Sequence, residues 1–208
     1  MPSAPILWNS SHRLILASRS EARRHLLASA GIPFEIDIAE IDERAIEDAF
    51  LGQGGAAEKL PSFLAQAKAV DVSRRHPEAF CVGADQVLTL DGRIFHKAET
   101  IQGAATQLAR LSGRTHRLTS ALAIAKGCRV EHEAEDHADM TMRSLSAAQI
   151  DLYLRFVGEI ALTSVGAYQV EKFGVHLMEE IRGGHATILG LPILALLSWL
   201  RREGALEL

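Results

Sequence analysis

The 208-residue sequence predicts a mixed α/β fold, with helices flanking a sheet that holds both parallel and antiparallel strands. Short apolar runs of strand length alternate with longer segments of helical period. Two turn signals, Asp91-Gly92 and Lys126-Gly127, lie between strand-like flanks. Hairpins need antiparallel pairs, so a purely parallel doubly wound sheet is disfavoured. The composition, 48% hydrophobic and 23% charged, is ordinary for a soluble globular chain. The length suits one domain spanning 1-208, large or built as two lobes around a cleft.

Each element has a local cause. Leu14 to Ala17 is a continuous apolar run, expected as a buried strand. Ser18 or Ser20 can cap the helix that follows, and Gly31 can close it. Phe34 to Ile38 alternates as a second strand. Gly52 to Gly55 reads as a flexible stretch before a helix over Pro61 to Val72. Phe80 to Leu90 is strand-like, and Thr100 to Leu111 reads as a helix ended by Gly113. His116 to Ala125 and the run from Cys128 form the second hairpin. Ser146-Ala-Ala-Gln149 is a capping box for a helix to about Phe156. The last helix begins near Pro192 and stops at Gly204.

The net charge of −4 supplies no global attraction for nucleic acid, so an anionic substrate needs a local basic cluster. Cys81 and Cys128 are far apart in apolar runs and are expected to be buried free thiols. Met1 to His12 lacks the pattern of a secretory leader. The longest apolar run, Leu189 to Leu200, is too short to span a bilayer. A cytoplasmic protein with no membrane or nucleic-acid partner is the resulting expectation.

Several segments could carry chemistry. Ser18-Arg19-Ser20 joins a strand to a helix N-terminus, where free N–H groups and nearby Arg23 and Arg24 suit phosphate. A capped helix with a solvated basic face is the alternative. Asp42-Glu43 follows a strand, and in extended chain only one of the two carboxylates would face a cleft. Solvated turn residues would read the same way. Val82-Gly-Ala-Asp85-Gln-Val87 is the most informative. An aspartate in an apolar strand is costly unless paired, and the small residues before it leave room for a ligand. A metal ion, a catalytic water or a Lys or Arg partner would each account for Asp85. Lys68 and Lys97 are candidate partners. His132 and His137 are five apart, on opposite faces of a strand, and read as solvated. Gly183-Gly184-His185 and Leu189-Gly-Leu-Pro192 read as turns. Spacing alone does not bring these residues together.

Taken together, the segments resemble the Maf family of nucleotide pyrophosphatases from Leu14 to Gly204. The shared pieces run in order: Leu16-Ala-Ser-Arg-Ser20 with Arg23, Asp42-Glu43, Ala67-Lys68-Ala69, Gly83-Ala-Asp85, Lys97, Ser112-Gly-Arg-Thr-His116, Gly166-Ala-Tyr168 and Gly190-Leu-Pro192. The resemblance implies an elongated, two-lobed Maf/ITPase-like fold with a central mixed sheet, a substrate cleft and, in many members, a homodimer. It implies hydrolysis of a nucleoside triphosphate to its monophosphate and pyrophosphate with Mg²⁺ or Mn²⁺. Asp85 would be the catalytic carboxylate and Glu43 would join it at the metal. Lys68, Lys97 and Arg23 would hold phosphates, with Ser18 and Ser20 at the helix start. Ala22, Gln86 and Glu171 occupy the three specificity positions, where the dTTP/UTP branch carries Arg, Thr and Gln. Gln86, Glu171, Phe173-Gly174 and Arg201-Arg-Glu-Gly204 are most similar to the branch acting on 7-methyl-GTP. The alternatives are a dTTP/UTP pyrophosphatase and a non-enzymatic, nucleotide-binding regulator of cell division. A buried metal-binding carboxylate favours the enzyme over the pure binder.

Overall fold

The computed structural model describes residues 7–208. The stretch Met1 to His12, where a leader pattern was sought, lies partly outside the described residues. The strands are β1 (Leu14–Leu16), β2 (Glu35–Ile36), β3 (Phe80–Leu90), β4 (Arg93–Phe95), β5 (Thr115–Lys126), β6 (Arg129–Met142) and β7 (Met178–Arg182). The helices are α1 (Glu21–Ser29), α2 (Glu43–Gly52), α3 (Leu60–Arg75), α4 (Ile101–Leu111), α5 (Ala147–Val157), α6 (His185–Ile188) and α7 (Ile193–Arg202). The strands pair in the order β2-β1-β3-β5-β6-β7, with β4 on β3. Parallel pairs (β1 with β2 and β3) and antiparallel pairs (β3 with β4, β6 with β7) coexist, so the expected mixed sheet is present.

The chain gathers into two compact units. One runs to Gln86 and takes in Ser120–Asp136 and His185–Leu208; the other comprises Val87–Thr119 and His137–Gly184. In the first, strand alternation sorts the core by face. Leu14, Leu16, Phe80 and Val82 pack with Leu27 of α1 and with Leu196, Trp199 and Leu200 of α7. Ile15, Ala17 and Cys81 turn the other way, toward Val72 of α3. Asp85 shares the parity of Cys81 and Gly83, so the pleat turns it to the α3 face.

In the second unit, β3 and β4 turn at Asp91 and Gly92, both with positive φ (51 and 72), as a type I′ hairpin requires. Buried Leu108 and Leu111 of α4 and Ile150, Leu154 and Val157 of α5 supply its core. The capping box at Ser146 forms as expected.

Two expectations need correction, and one helix is additional. The second hairpin turns at Gly127-Cys128 (φ 54 and 68), one residue later than Lys126-Gly127. Cys128 is therefore an exposed turn residue and only Cys81 is buried, its thiol pushed up to about 11 by burial. Residues 43–52 form α2, an element the sequence reading did not include, none of whose residues is fully buried. No helix among the described residues is long and apolar enough to cross a membrane.

Candidate active site

The first unit assembles a charged cluster at the end of its part of β3. Gly83 lies directly under α3: a Cβ there would sit 2.1 Å from the Ala65 carbonyl oxygen and 2.6 Å from the Ala69 nitrogen. Gly83 therefore serves backbone-to-backbone packing of helix on strand. That close packing sets the height of Lys68, which rides the buried α3 stripe with Leu64, Ala65, Ala69 and Val72. Lys68 Nζ meets Asp85 Oδ1 at 2.6 Å, with both side chains largely buried. A lysine ammonium this far from water requires a carboxylate partner.

Glu43 supplies a second one. Its Oε2 lies 2.7 Å from Lys68 Nζ, and its side chain is 55% exposed. Asp42, expected in extended chain beside it, is instead the N-cap of α2 and accepts from the Ala45 N–H at 3.0 Å. Only one carboxylate of the pair reaches the cluster, but helix capping, not strand alternation, separates them.

Arg23 joins from α1. Ser20 caps this helix by accepting the Arg23 N–H at 3.4 Å, and Ser18 Oγ accepts the Ser20 N–H at 3.2 Å. The Arg23 guanidinium is tied on two sides. Nε donates to the Gly190 carbonyl at 2.8 Å, while Nη1 donates to the Ala84 carbonyl at 2.9 Å and to Ser18 Oγ at 3.2 Å. Nη2 carries none of these bonds. Burial lowers the Arg23 pKa, opposed by the charges of Asp85 and Glu43. Arg23 thus knits α1 to the peptide just before Asp85 and to the Gly190-Leu-Pro192 turn. Sequence inspection read that turn as without chemistry. Gly190 has φ +92, and a Cβ there would lie 3.2 Å from the guanidinium. Arg24 points elsewhere and pairs loosely with Glu21 at 3.6 Å. Ala22, between them on α1, adds no polar group.

Gln86 Nε2 donates to Ser120 Oγ (2.9 Å) and to the carbonyls of Thr187 and Ile188 (both 3.0 Å). Ser120 in turn donates to the Thr187 carbonyl at 2.7 Å. The amide nitrogen of this specificity candidate is thus committed to holding α6.

Lys97 and Glu171 belong to the second unit. Lys97 is exposed and forms an isolated antiparallel bridge with Val165. Glu171 is exposed on a tight turn: the N–H groups of Lys172 and Gly174 both donate to the Gln169 carbonyl, at 3.1 and 3.0 Å. The turn borders an apolar cavity of about 440 Å³, lined by Tyr153, Phe156, Gln169, Lys172 and Phe173 among others.

The donor chemistry suits a hard divalent cation. Asp85 and Glu43 already converge on one positive charge, and Mg²⁺ commonly takes one or two carboxylates, completing its shell with water and substrate phosphate. Among the described residues, no group of three or more His, Cys, Asp or Glu gathers as a ready-made metal cage. Two carboxylates, a buried lysine and an arginine beside a helix start have the groups that phosphoryl chemistry needs, namely charge neutralisation and positioning.

Comparison with known proteins defines the family. The chain matches the model of the Maf-like proteins over residues 13–203, and it belongs to that family. It is 48% identical over 195 residues to a 7-methyl-GTP pyrophosphatase of Rhizobium etli, covering 94% of this chain and 98% of that one. A 7-methyl-GTP pyrophosphatase of Brucella abortus is 46% identical over 195 residues, with the same coverage. A nucleoside triphosphate pyrophosphatase of Nitrobacter hamburgensis is 47% identical over 202 residues, covering 97% of this chain and 99% of that one.

Proposed function

We propose that the chain is a nucleoside triphosphate pyrophosphatase, releasing pyrophosphate and a monophosphate from a guanine-type, 7-methyl-GTP-like substrate. The observation that carries this reading is the convergence of Asp85 and Glu43 on Lys68 Nζ, at 2.6 and 2.7 Å. The curated relatives named above support it. In this reading Asp85 Oδ1 stays paired with Lys68, while Oδ2 accepts the proton of the attacking water. The water oxygen bonds to the α-phosphorus, the bridging bond to the β-phosphate breaks, and pyrophosphate leaves. Lys68 and Arg23 stabilise the negative charge that builds on the phosphate oxygens, and the start of α1 receives a phosphate group. Asp85 and Glu43 would hold Mg²⁺ or Mn²⁺, whose chemistry is to neutralise phosphate charge and acidify bound water. Lys97 is assigned to the phosphates by family resemblance.

Glu171 is assigned to the base. Guanine presents two adjacent donors, N1–H and the exocyclic amine, and one carboxylate accepts from both. Thymine and uracil present one N–H between two carbonyls, which a carboxylate repels. A mismatched buried polar contact costs about 1–3 kcal/mol, enough for roughly tenfold discrimination. N7-methylation makes guanine cationic and favours it further. The test is kcat/KM for 7-methyl-GTP, GTP, dTTP and UTP with Mg²⁺, with Mn²⁺ and with chelator. We expect guanine nucleotides to lead, loss of activity with chelator, and a weaker preference in Glu171→Gln. Preference for dTTP or UTP in the wild type would sink the base assignment.

A further inference from the structure

The segment bearing Glu171 is held far more tightly than an exposed turn requires. Ser164 Oγ donates to the Tyr168 carbonyl at 2.6 Å, and Gln169 Nε2 donates to Thr163 Oγ1 at 2.8 Å. Tyr153 Oη of α5 reaches the Ala167 carbonyl at 3.4 Å. Ala167 is a non-glycine residue at φ 62, a conformation that persists only where its surroundings over-determine it. Gly174 lies so close that a Cβ would sit 2.5 Å from the Gln169 carbonyl oxygen.

The anchor is buried. Tyr168 Oη and His116 Nε2 are 2.5 Å apart, both residues almost fully enclosed. His116 sits on β5, a long strand, whereas Tyr168 is three residues before Glu171. The bond leaves His116 Nδ1 buried without a partner. A buried polar atom without a partner is destabilising, a cost that an apolar pair of the same shape would avoid. Packing alone therefore gives no reason for a polar pair here.

We infer that His116 and Tyr168 are positioning residues for base selection: their bond fixes, from a rigid strand, the turn that presents Glu171. The inference rests on Glu171 selecting the base. Discrimination between a guanine and a pyrimidine needs the carboxylate held to a fraction of an ångström, because hydrogen bonds weaken steeply with distance and angle. A turn released at Tyr168 keeps Glu171 but lets it adapt to either base.

The test is the ratio of kcat/KM for 7-methyl-GTP over UTP in the wild type, Tyr168→Phe, Glu171→Gln and the double variant, with melting curves for each. We expect Tyr168→Phe to lower the ratio about tenfold, through KM for 7-methyl-GTP with kcat little changed. In the Glu171→Gln background the same change should have no further effect, because the two residues act through one contact. Ser164→Ala, which frees the same turn at the Tyr168 carbonyl while leaving both side chains of the buried bond in place, should lower the ratio in the same direction. If Glu171→Gln lowers the ratio but folded Tyr168→Phe and Ser164→Ala leave it unchanged, this inference is overturned and the base assignment stands. Additive effects in the double variant also overturn it. An unchanged ratio in Glu171→Gln removes the base assignment and the inference with it.

Discussion

Replacing Asp85 by Asn separates the catalytic role proposed for this carboxylate from its structural one. The Lys68 ammonium would lose its partner at 2.6 Å and keep Glu43 at 2.7 Å. Breaking a buried ion pair costs about 3–5 kcal/mol when a charge is left uncompensated. Here Glu43 still compensates the charge, and Asn keeps an acceptor oxygen, so the loss should be nearer the ~1–3 kcal/mol of a weakened buried polar contact. For a chain of this size that lowers Tm by roughly 2–4 °C per kcal/mol, leaving the protein folded at assay temperature. Activity should fall much further. The amide neither carries negative charge nor takes a proton, and losing a positioned general base typically costs about 10²–10⁴ in rate. The assay is pyrophosphate release at saturating nucleotide, beside a thermal melt of the same sample. A folded Asp85→Asn protein turning over within about threefold of wild type would refute the assignment, since that is far short of a lost general base.

Other perturbations test the scaffold. Arg23→Ala should lower kcat/KM by about a hundredfold or more, because it removes a cation together with ties to Ser18, Ala84 and Gly190. Arg24→Ala should change stability by less than ~0.5 kcal/mol and activity little; the reverse ranking would contradict the geometry. Gly83→Ala drives a methyl into the α3 backbone and should cost about 1–3 kcal/mol or more in urea unfolding, with parallel loss of activity as Lys68 shifts. Burial holds His116 at about 4, below its ordinary 6.5, so the unfolded chain binds the proton first. Stability is therefore complete above pH 6.5 and falls as pH drops toward 4, by about 2 kcal/mol at pH 5. The urea midpoint should fall less over this range in His116→Gln, and an identical pH slope in the two proteins would contradict the burial effect.

Much of the fold was legible because its signals are local. The Ser20 and Ser146 caps and the Asp91-Gly92 turn are fixed by residues within a few positions of one another. Asp85 was legible as an anomaly, a charge in an apolar strand, and Lys68, on the preceding helix, was legible only as one of two candidate partners. What joins them was not legible. Gly83 reads as an open space in sequence, yet its emptiness is filled by α3, a contact that depends on tertiary packing. Arg23 shows the same limit: its partners at Ala84 and Gly190 are backbone carbonyls, which carry no residue signature. Helix α2 carries its apolar residues Ile46, Ala49 and Phe50 at helical spacing, but none of its residues is fully buried and Gly52 to Gly55 follows directly. The Gly127-Cys128 turn was displaced by one residue because glycine fits either position of a type I′ turn, and Cys128 is an unusual second occupant.

The bond cleaved in the proposed reaction can be observed directly. Phosphorus NMR of 7-methyl-GTP incubated with the protein and Mg²⁺ resolves the products without a coupling enzyme. We expect 7-methyl-GMP and pyrophosphate to appear together in equal amounts, with neither formed by Asp85→Asn. A diphosphate with orthophosphate would place the cleavage at the β–γ bond and contradict the proposed chemistry. Unchanged nucleotide across the canonical and modified triphosphates would contradict the enzymatic assignment itself.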